Sequence, residues 1–186
     1  MGNYKKLEQN IKDVILEQQL KLGYRSEVIR LYYPLSSLNR LLEKDCNAGE
    51  MQEELERFSQ YCSPRLGEIK AECSKERFCL IIPPKGAKYV HENKGENSFL
   101  EKLIGIVSNH GCTLKDIQDL FLAYSDDVFI GKMNGEDFDY LFYFRNGIPN
   151  DYRYCITVEE CHVIYHRYTK EDYEDFGFSD AEEIRM

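Results

Sequence analysis

Residues 127–168, DVFIGKMNGEDFDYLFYFRNGIPNDYRYCITVEECHVIYHRY, alternate in a way that predicts four short antiparallel strands. Successive side chains of a strand point to opposite faces, so a period of two marks one. Phe138, Tyr140, Phe142 and Phe144 fall on one face, and Asp137, Asp139, Leu141, Tyr143 and Arg145 on the other. Asn134-Gly135 tolerates the positive φ angles of a two-residue hairpin turn, which folds residues 128–133 back onto 137–144. Residues 146–150 make a longer turn. Residues 152–158 and 161–168 then form the last pair, reversed around Glu159-Glu160.

Upstream of this meander, helical spacing takes over. Ser98-x-x-Glu101 is a capping box opening a helix with Phe99, Leu100, Leu103, Ile104, Ile106 and Val107, apolar around most of its circumference and so expected to be deeply buried. Gly111 ends it, and Thr113 with Asp116 caps the next helix, which carries Leu114, Ile117, Leu120, Phe121 and Tyr124. A helix-turn-helix that reads DNA presents Arg, Lys, Asn or Gln to base edges; this one offers Lys115 and Gln118 against Asp116 and Asp119, so packing on the sheet is the expectation.

In the first half, Asn3 caps a helix whose stripe is Tyr4, Leu7, Ile11, Val14 and Ile15, ending near Gly23. Residues 28–33 suit a short strand stopped by Pro34, and Ser36 or Ser37 caps a short helix with Leu38, Leu41 and Leu42. Residues 48–61 read as a helix with Met51, Leu55 and Phe58 inward and Glu50, Glu53, Glu54 and Glu56 mostly solvated, ended by Pro64 and Gly67. Residues 68–73 and 77–82 look like a hairpin. FCLII, residues 78–82, is a continuous apolar run expected of a strand covered on both faces, the candidate central strand of the sheet. Residues 83–88, PPKGAK, read as a solvated loop without phosphate-cradling spacing, and residues 94–97, KGEN, as a flexible joint.

The run LGYRSEVIRLYYPLSSLNRLL, residues 22–42, resembles an uncharacterised bacterial family seen in gut Firmicutes and catalogued only as a domain of unknown function. The resemblance implies a bacterial, cytoplasmic protein and brings no activity or site residues with it.

Charge and cysteines narrow the function classes. Residues 1–95 carry 16 Lys/Arg against 14 Asp/Glu, whereas residues 96–186 carry 8 against 19, so the acidity belongs to the second half. Nucleic-acid binding draws on Lys and Arg replacing condensed counterions, and this balance disfavours it. No apolar run reaches the roughly 20 residues of a bilayer span, and MGNYKKLEQN lacks an apolar leader core, so a cytoplasmic chain is expected. The seven cysteines contain no C-x-x-C pair and are read as reduced and mostly buried. Cys155, Cys161, His162 and His166 gather metal-capable groups, but four residues along a strand span about 13 Å, so His162 and His166 cannot share an ion and no metal or cofactor is expected. The paired acids lie in turns, with Asp137 and Asp139 beside Tyr143 and Arg145 the best placed of them.

One feature stands out: of the chain's 24 Phe and Tyr, 15 lie between Phe121 and Phe178, interleaved with acids and a few arginines. Such strands suit protein-binding surfaces, because a ring gives large contact area at little rotamer entropy. The expectation is one α+β domain over residues 1–186: an antiparallel sheet with a C-terminal four-strand meander, helices packed on one face, and an acidic tail from about residue 170, disordered in part. Its function is read as a protein-interaction or regulatory module without catalysis, with a protein partner or a homodimer, binding through Tyr140, Tyr143, Tyr165, Asp137, Asp139 and Arg145. The alternatives are a small hydrolase or transferase with a carboxylate or histidine site, and an acidic antitoxin or immunity-type protein that masks a basic partner.

Overall fold

A computed structural model describes residues 3–95, 98–135, 137–160, 162–178 and 180–184. The chain divides into two compact units, Met1–Glu96 and Asn97–Met186, each with its own antiparallel sheet. The joint expected at residues 94–97 includes Glu96 and Asn97, which lie outside the described residues, as do Glu136, Cys161 and the side chain of Ser98 on which the expected capping box rests.

The first unit runs α1 (Tyr4–Leu22), β1 (Ile29–Pro34), α2 (Leu35–Leu42), α3 (Ala48–Leu66), β2 (Lys70–Ser74), β3 (Arg77–Ile82) and α4 (Pro84–Glu92), with strand order β1-β3-β2. Asn3 caps α1 by accepting from the Lys6 N–H, and Leu7, Ile11 and Ile15 are buried, whereas Val14 is exposed. Pro34 both ends β1 and opens α2; neither Ser36 nor Ser37 caps it. Helix α3 continues through Pro64 to Leu66. Proline lacks the N–H that would bond to the Gln60 carbonyl, and the Ser63 hydroxyl donates to that carbonyl instead, at 3.1 Å. Gly67, at φ 81, ends the helix.

The FCLII run is the central strand of this three-stranded sheet, not of the meander's sheet. Its apolar continuity also misleads: Phe78, Leu80 and Ile82 are buried while Cys79 and Ile81 are half-buried, so only one face is sealed. The PPKGAK segment is not a loop, because Pro84 starts α4, the position where a missing N–H costs nothing. Gly86 lets this helix approach: a Cβ there would stand 2.4 Å from Ile82 Cγ2 and 2.9 Å from the Leu66 carbonyl oxygen.

The second unit runs α5 (Ser98–Val107), α6 (Leu114–Tyr124), β4 (Val128–Met133), β5 (Tyr140–Phe144), β6 (Tyr152–Val158), β7 (Val163–Thr169), α7 (Lys170–Phe176) and β8 (Ala181–Glu183), with strand order β7-β6-β5-β4-β8. The predicted four-strand meander is therefore present, flanked by an additional edge strand. Thr113 and Asp116 form the expected capping box of α6. Helix α5 buries Phe99, Leu100, Leu103 and Ile104, while Ile106 and Val107 are half-buried, so it is sealed on one side only.

The hairpin register corrects the turn. Lys132 stands opposite Tyr140, and the Met133 N–H donates to the Asp139 carbonyl at 2.8 Å, so the connection is wider than two residues at Asn134-Gly135. Because β5 starts at Tyr140, Phe138 escapes the alternation and packs with Tyr168 and Phe178, away from Phe142 and Phe144.

Both faces of the second sheet are covered. On one, Phe99 and Phe121 from α5 and α6 meet Phe144 and Tyr154 with ring centroids 5.0–5.7 Å apart, and Phe121 also meets Phe99 and Phe142. On the other, Met133, Leu141 and Cys155 are buried under Tyr168, Tyr173 and Phe178. Helices thus pack on both faces rather than one. The described part of the acidic tail forms α7 and β8.

Candidate functional site

The best-built surface site lies on the tail side of the second sheet. Cross-strand partners share a face, and Phe129 of β4 stands opposite Tyr143 of β5. Their rings stack at 4.8 Å with an interplanar angle of 17°. Arg145, two residues beyond Tyr143, places its guanidinium 5.2 Å from the Phe129 ring centroid, and Arg153 of β6 lies 4.0 Å over the Tyr143 ring. The result is a row of four, Arg145–Phe129–Tyr143–Arg153, in which each ring is flanked by its partner ring and a cation. Gly131 makes room for it, because a Cβ there would stand 2.6 Å from the Phe129 ring.

Acids at the margin hold the two guanidiniums loosely. Arg145 hydrogen-bonds Glu183 and lies 3.8 Å from Asp127, and Arg153 lies 3.4 Å from Asp151; these three carboxylates are all more than half exposed. The exposed pairs of Arg145 contribute about 0–1 kcal/mol, whereas the Arg153 side chain is only 12% exposed. A carboxylate from outside can replace the acids at Arg145 at low cost, through the two-pronged pairing that a guanidinium favours.

The other sequence-derived candidates scatter. Tyr143 and Arg145 come together in the row, but Tyr140 pairs with Ile156 on the helix-covered face, and Tyr165 is 6% exposed on that same face. Asp137 is exposed. Asp139 closes the end of β6, its carboxylate accepting from the Val158 N–H at 2.7 Å. Phe129 and Arg153, the other half of the row, were not singled out, because only the β4–β5–β6 register reveals them. His162 pairs with Glu159 at 2.9 Å, and His166 packs against Phe138 and stands opposite Cys155, a thiol that burial keeps protonated.

Two buried carboxylates lie in the first unit, Glu8 and Glu54, the second of them among acids expected to be mostly solvated. Glu54, 3% exposed, accepts from Tyr4 at 2.5 Å, Lys44 at 2.6 Å and Arg57 at 2.9 Å. Burial raises its pKa, but the bonds from Lys44, Tyr4 and Arg57 outweigh that and hold it at about 2. Burial and the bond to Glu54 push the Tyr4 hydroxyl up to about 12. Glu8, 4% exposed, takes both arms of Arg65 at 2.5 and 2.7 Å and Lys12 at 2.6 Å, and these bonds outweigh its burial to lower its pKa. A general acid needs the opposite, a carboxyl raised toward neutrality. These clusters therefore tie α1 to α3 instead of serving proton transfer. Both glutamates sit on the apolar stripes of their helices, four residues from Tyr4 and from Phe58, a spacing that signals their burial.

Cys62 and Cys155 are buried thiols pushed up to about 12 by desolvation, so neither supplies a thiolate near neutral pH. A cleft of about 570 Å³ runs between α3 and β2, lined by Gln52, Leu55, Ser59, Glu68 and Lys70 among others. The Gln52 side chain spans it to the Ala71 carbonyl at 3.0 Å. Among the described residues no helix is long and apolar enough to cross a membrane.

No curated protein and no solved structure matches this chain. A family model does, over residues 4–177, which take in both sheets apart from β8: the chain belongs to the family described as "Domain of unknown function, E. rectale Gene description (DUF3877)".

Proposed function

We propose that the protein is a bacterial, cytoplasmic interaction or regulatory module without catalysis, and that it meets its protein partner through the Arg145–Phe129–Tyr143–Arg153 row. The stacked row carries this reading. Aromatic and arginine side chains dominate the energetic centres of protein interfaces, and here two of each are aligned, with Arg145 exposed and Phe129, Tyr143 and Arg153 partly buried beside it. The desolvated carboxylates are locked to cations elsewhere, which weakens the hydrolase alternative.

Native mass spectrometry of the chain captured from its host's lysate tests this against the 21.9 kDa monomer. The wild-type chain is expected in a heavier complex, with a protein partner or as a homodimer, and the double variant Arg145→Ala/Arg153→Ala as a monomer with an unchanged far-UV spectrum. A wild-type monomer, or a double variant that assembles equally well, contradicts the reading. The second unit's 8 basic against 18 acidic residues, counted over 97–186, favours a second reading, in which it masks a basic partner; there the complex would weaken steeply with salt and ignore the two arginines.

A further inference from the structure

The outer edge of β4 is where the meander would end, and the chain fills it with its own C-terminal segment. Gly131, Lys132 and Met133 stand opposite Glu183, Glu182 and Ala181. Backbone bonds from the Asn134 N–H to the Asp180 carbonyl, 3.3 Å, and from the Ile184 N–H to the Ile130 carbonyl, 2.9 Å, extend the ladder at both ends. The filling strand is three residues long, with Glu182 and Glu183 exposed. It follows Gly177, which stands in the left-handed region at φ 64.

The seat is shaped for this type of segment. Lys132 lies across from Glu182, and Arg145 hydrogen-bonds Glu183. A Cβ at Gly131 would stand 3.0 Å from the Ala181 Cβ, so the seat accepts a small residue there. Three residues before Ala181, the Phe178 ring sits among Phe138, Tyr168, Tyr173 and Phe176 with centroids 5.2–5.6 Å away. The family match ends at residue 177, so the edge lies inside the shared domain and the strand that fills it lies beyond the match.

We propose that the β4 edge is a strand-addition site for an extended acidic segment of a partner protein, an aromatic residue followed three positions later by a small residue and two acids. The chain's own 178–184 segment is the occupant that such a strand displaces. This deepens the interaction reading above and rests on it, since Arg145 serves both. Backbone pairing supplies the affinity of an added strand and alternate side-chain seats its selectivity. The tether holds the resident segment at an effective concentration on the order of millimolar, so a partner strand enters readily only when the resident is released.

The variant E182P in the full chain releases it. The two flanking bonds make Lys132–Glu182 a hydrogen-bonded pair, so the Glu182 N–H belongs to the ladder and proline removes it. A fluorescein-labelled peptide of residues 178–186, FSDAEEIRM, is titrated by fluorescence anisotropy. It is expected to bind the E182P chain about tenfold or more tightly than the wild type, to weaken when Arg145→Ala is added, and not to bind when the peptide itself carries E182P. Absence of binding to an E182P chain with the wild-type far-UV spectrum, or equal binding to both chains, overturns the proposal. Should E182P not fold, Glu183→Lys loosens the resident strand more gently, with the same expectation at smaller gain and the same overturning result. A wild-type dimer formed by exchanged C-terminal segments at the working concentration would also overturn it, by making a second copy the occupant. Failure of the peptide while the arginine-dependent complex persists removes the strand-addition site alone; loss of that complex removes the interaction reading.

Discussion

The two units handle charge and aromatic rings in opposite ways. Met1–Glu96 carries 16 basic and 15 acidic residues and buries its decisive charges, Glu8 and Glu54, each under two or three donors. Asn97–Met186 carries 8 against 18, leaves its described carboxylates exposed or half-exposed, and sets its rings on both faces of one sheet. Buried charge that is fully partnered is fixed and holds helices together. An exposed cation resting on a ring, as at Arg145, can change partners, and the interaction proposed for the second unit rests on that difference.

The largest expected effect breaks the aromatic side of the contrast. Phe121 contacts four rings and is fully buried; Phe121→Ala should cost about 3–5 kcal/mol in urea unfolding. A loss below about 1 kcal/mol would mean that the α6 side is not the core. Next, Glu54→Gln leaves Lys44 without its anion and Arg57 with the exposed Glu53 alone. Both keep access to solvent, so the expected cost is about 2 kcal/mol, below that of breaking a fully desolvated pair.

The same carboxylates set a pH window. Glu54 is lowered from 4.5 to about 2, and Glu8 is lowered too, so their contribution is fully present above about pH 4.5 and lost as pH falls toward 2. Acid titration of the far-UV signal should show this loss, and Glu54→Gln should flatten it. A loss of stability on raising the pH from 5 to 7 that depends on Glu54 would have the wrong sign. The smallest effect is expected of Arg153→Ala, at about 1 kcal/mol in urea, the size of one cation–ring contact over the half-buried Tyr143. A fall of several kcal/mol would make the row structural and erase the contrast.

The meander was legible because alternation is local: residues 128–169 hold the four strands, and the pattern overreached only at strand starts such as 137–139. Caps were legible for the same reason at Asn3 and Thr113. What sequence hid depends on partners distant in the chain. Nothing in FCLII says whether its neighbours are β1 and β2 or the meander, and nothing in AEE announces that it will pair with β4. Half of the candidate row was visible as Tyr143 and Arg145; Phe129 and Arg153 joined them only through register. Pro64 and Pro84 misled because a proline's effect depends on who satisfies, or never needed, the missing bond.

Hydrogen exchange read by mass spectrometry, on the chain alone and in the complex recovered from its host, locates the partner's footprint. Protection is expected in residues 127–133, 141–145 and 151–155, around the arginine–aromatic row, with the α3–β2 cleft at Gln52–Ala71 unchanged. Protection centred on that cleft, with the second unit's sheet exchanging as in the free chain, would contradict that expectation.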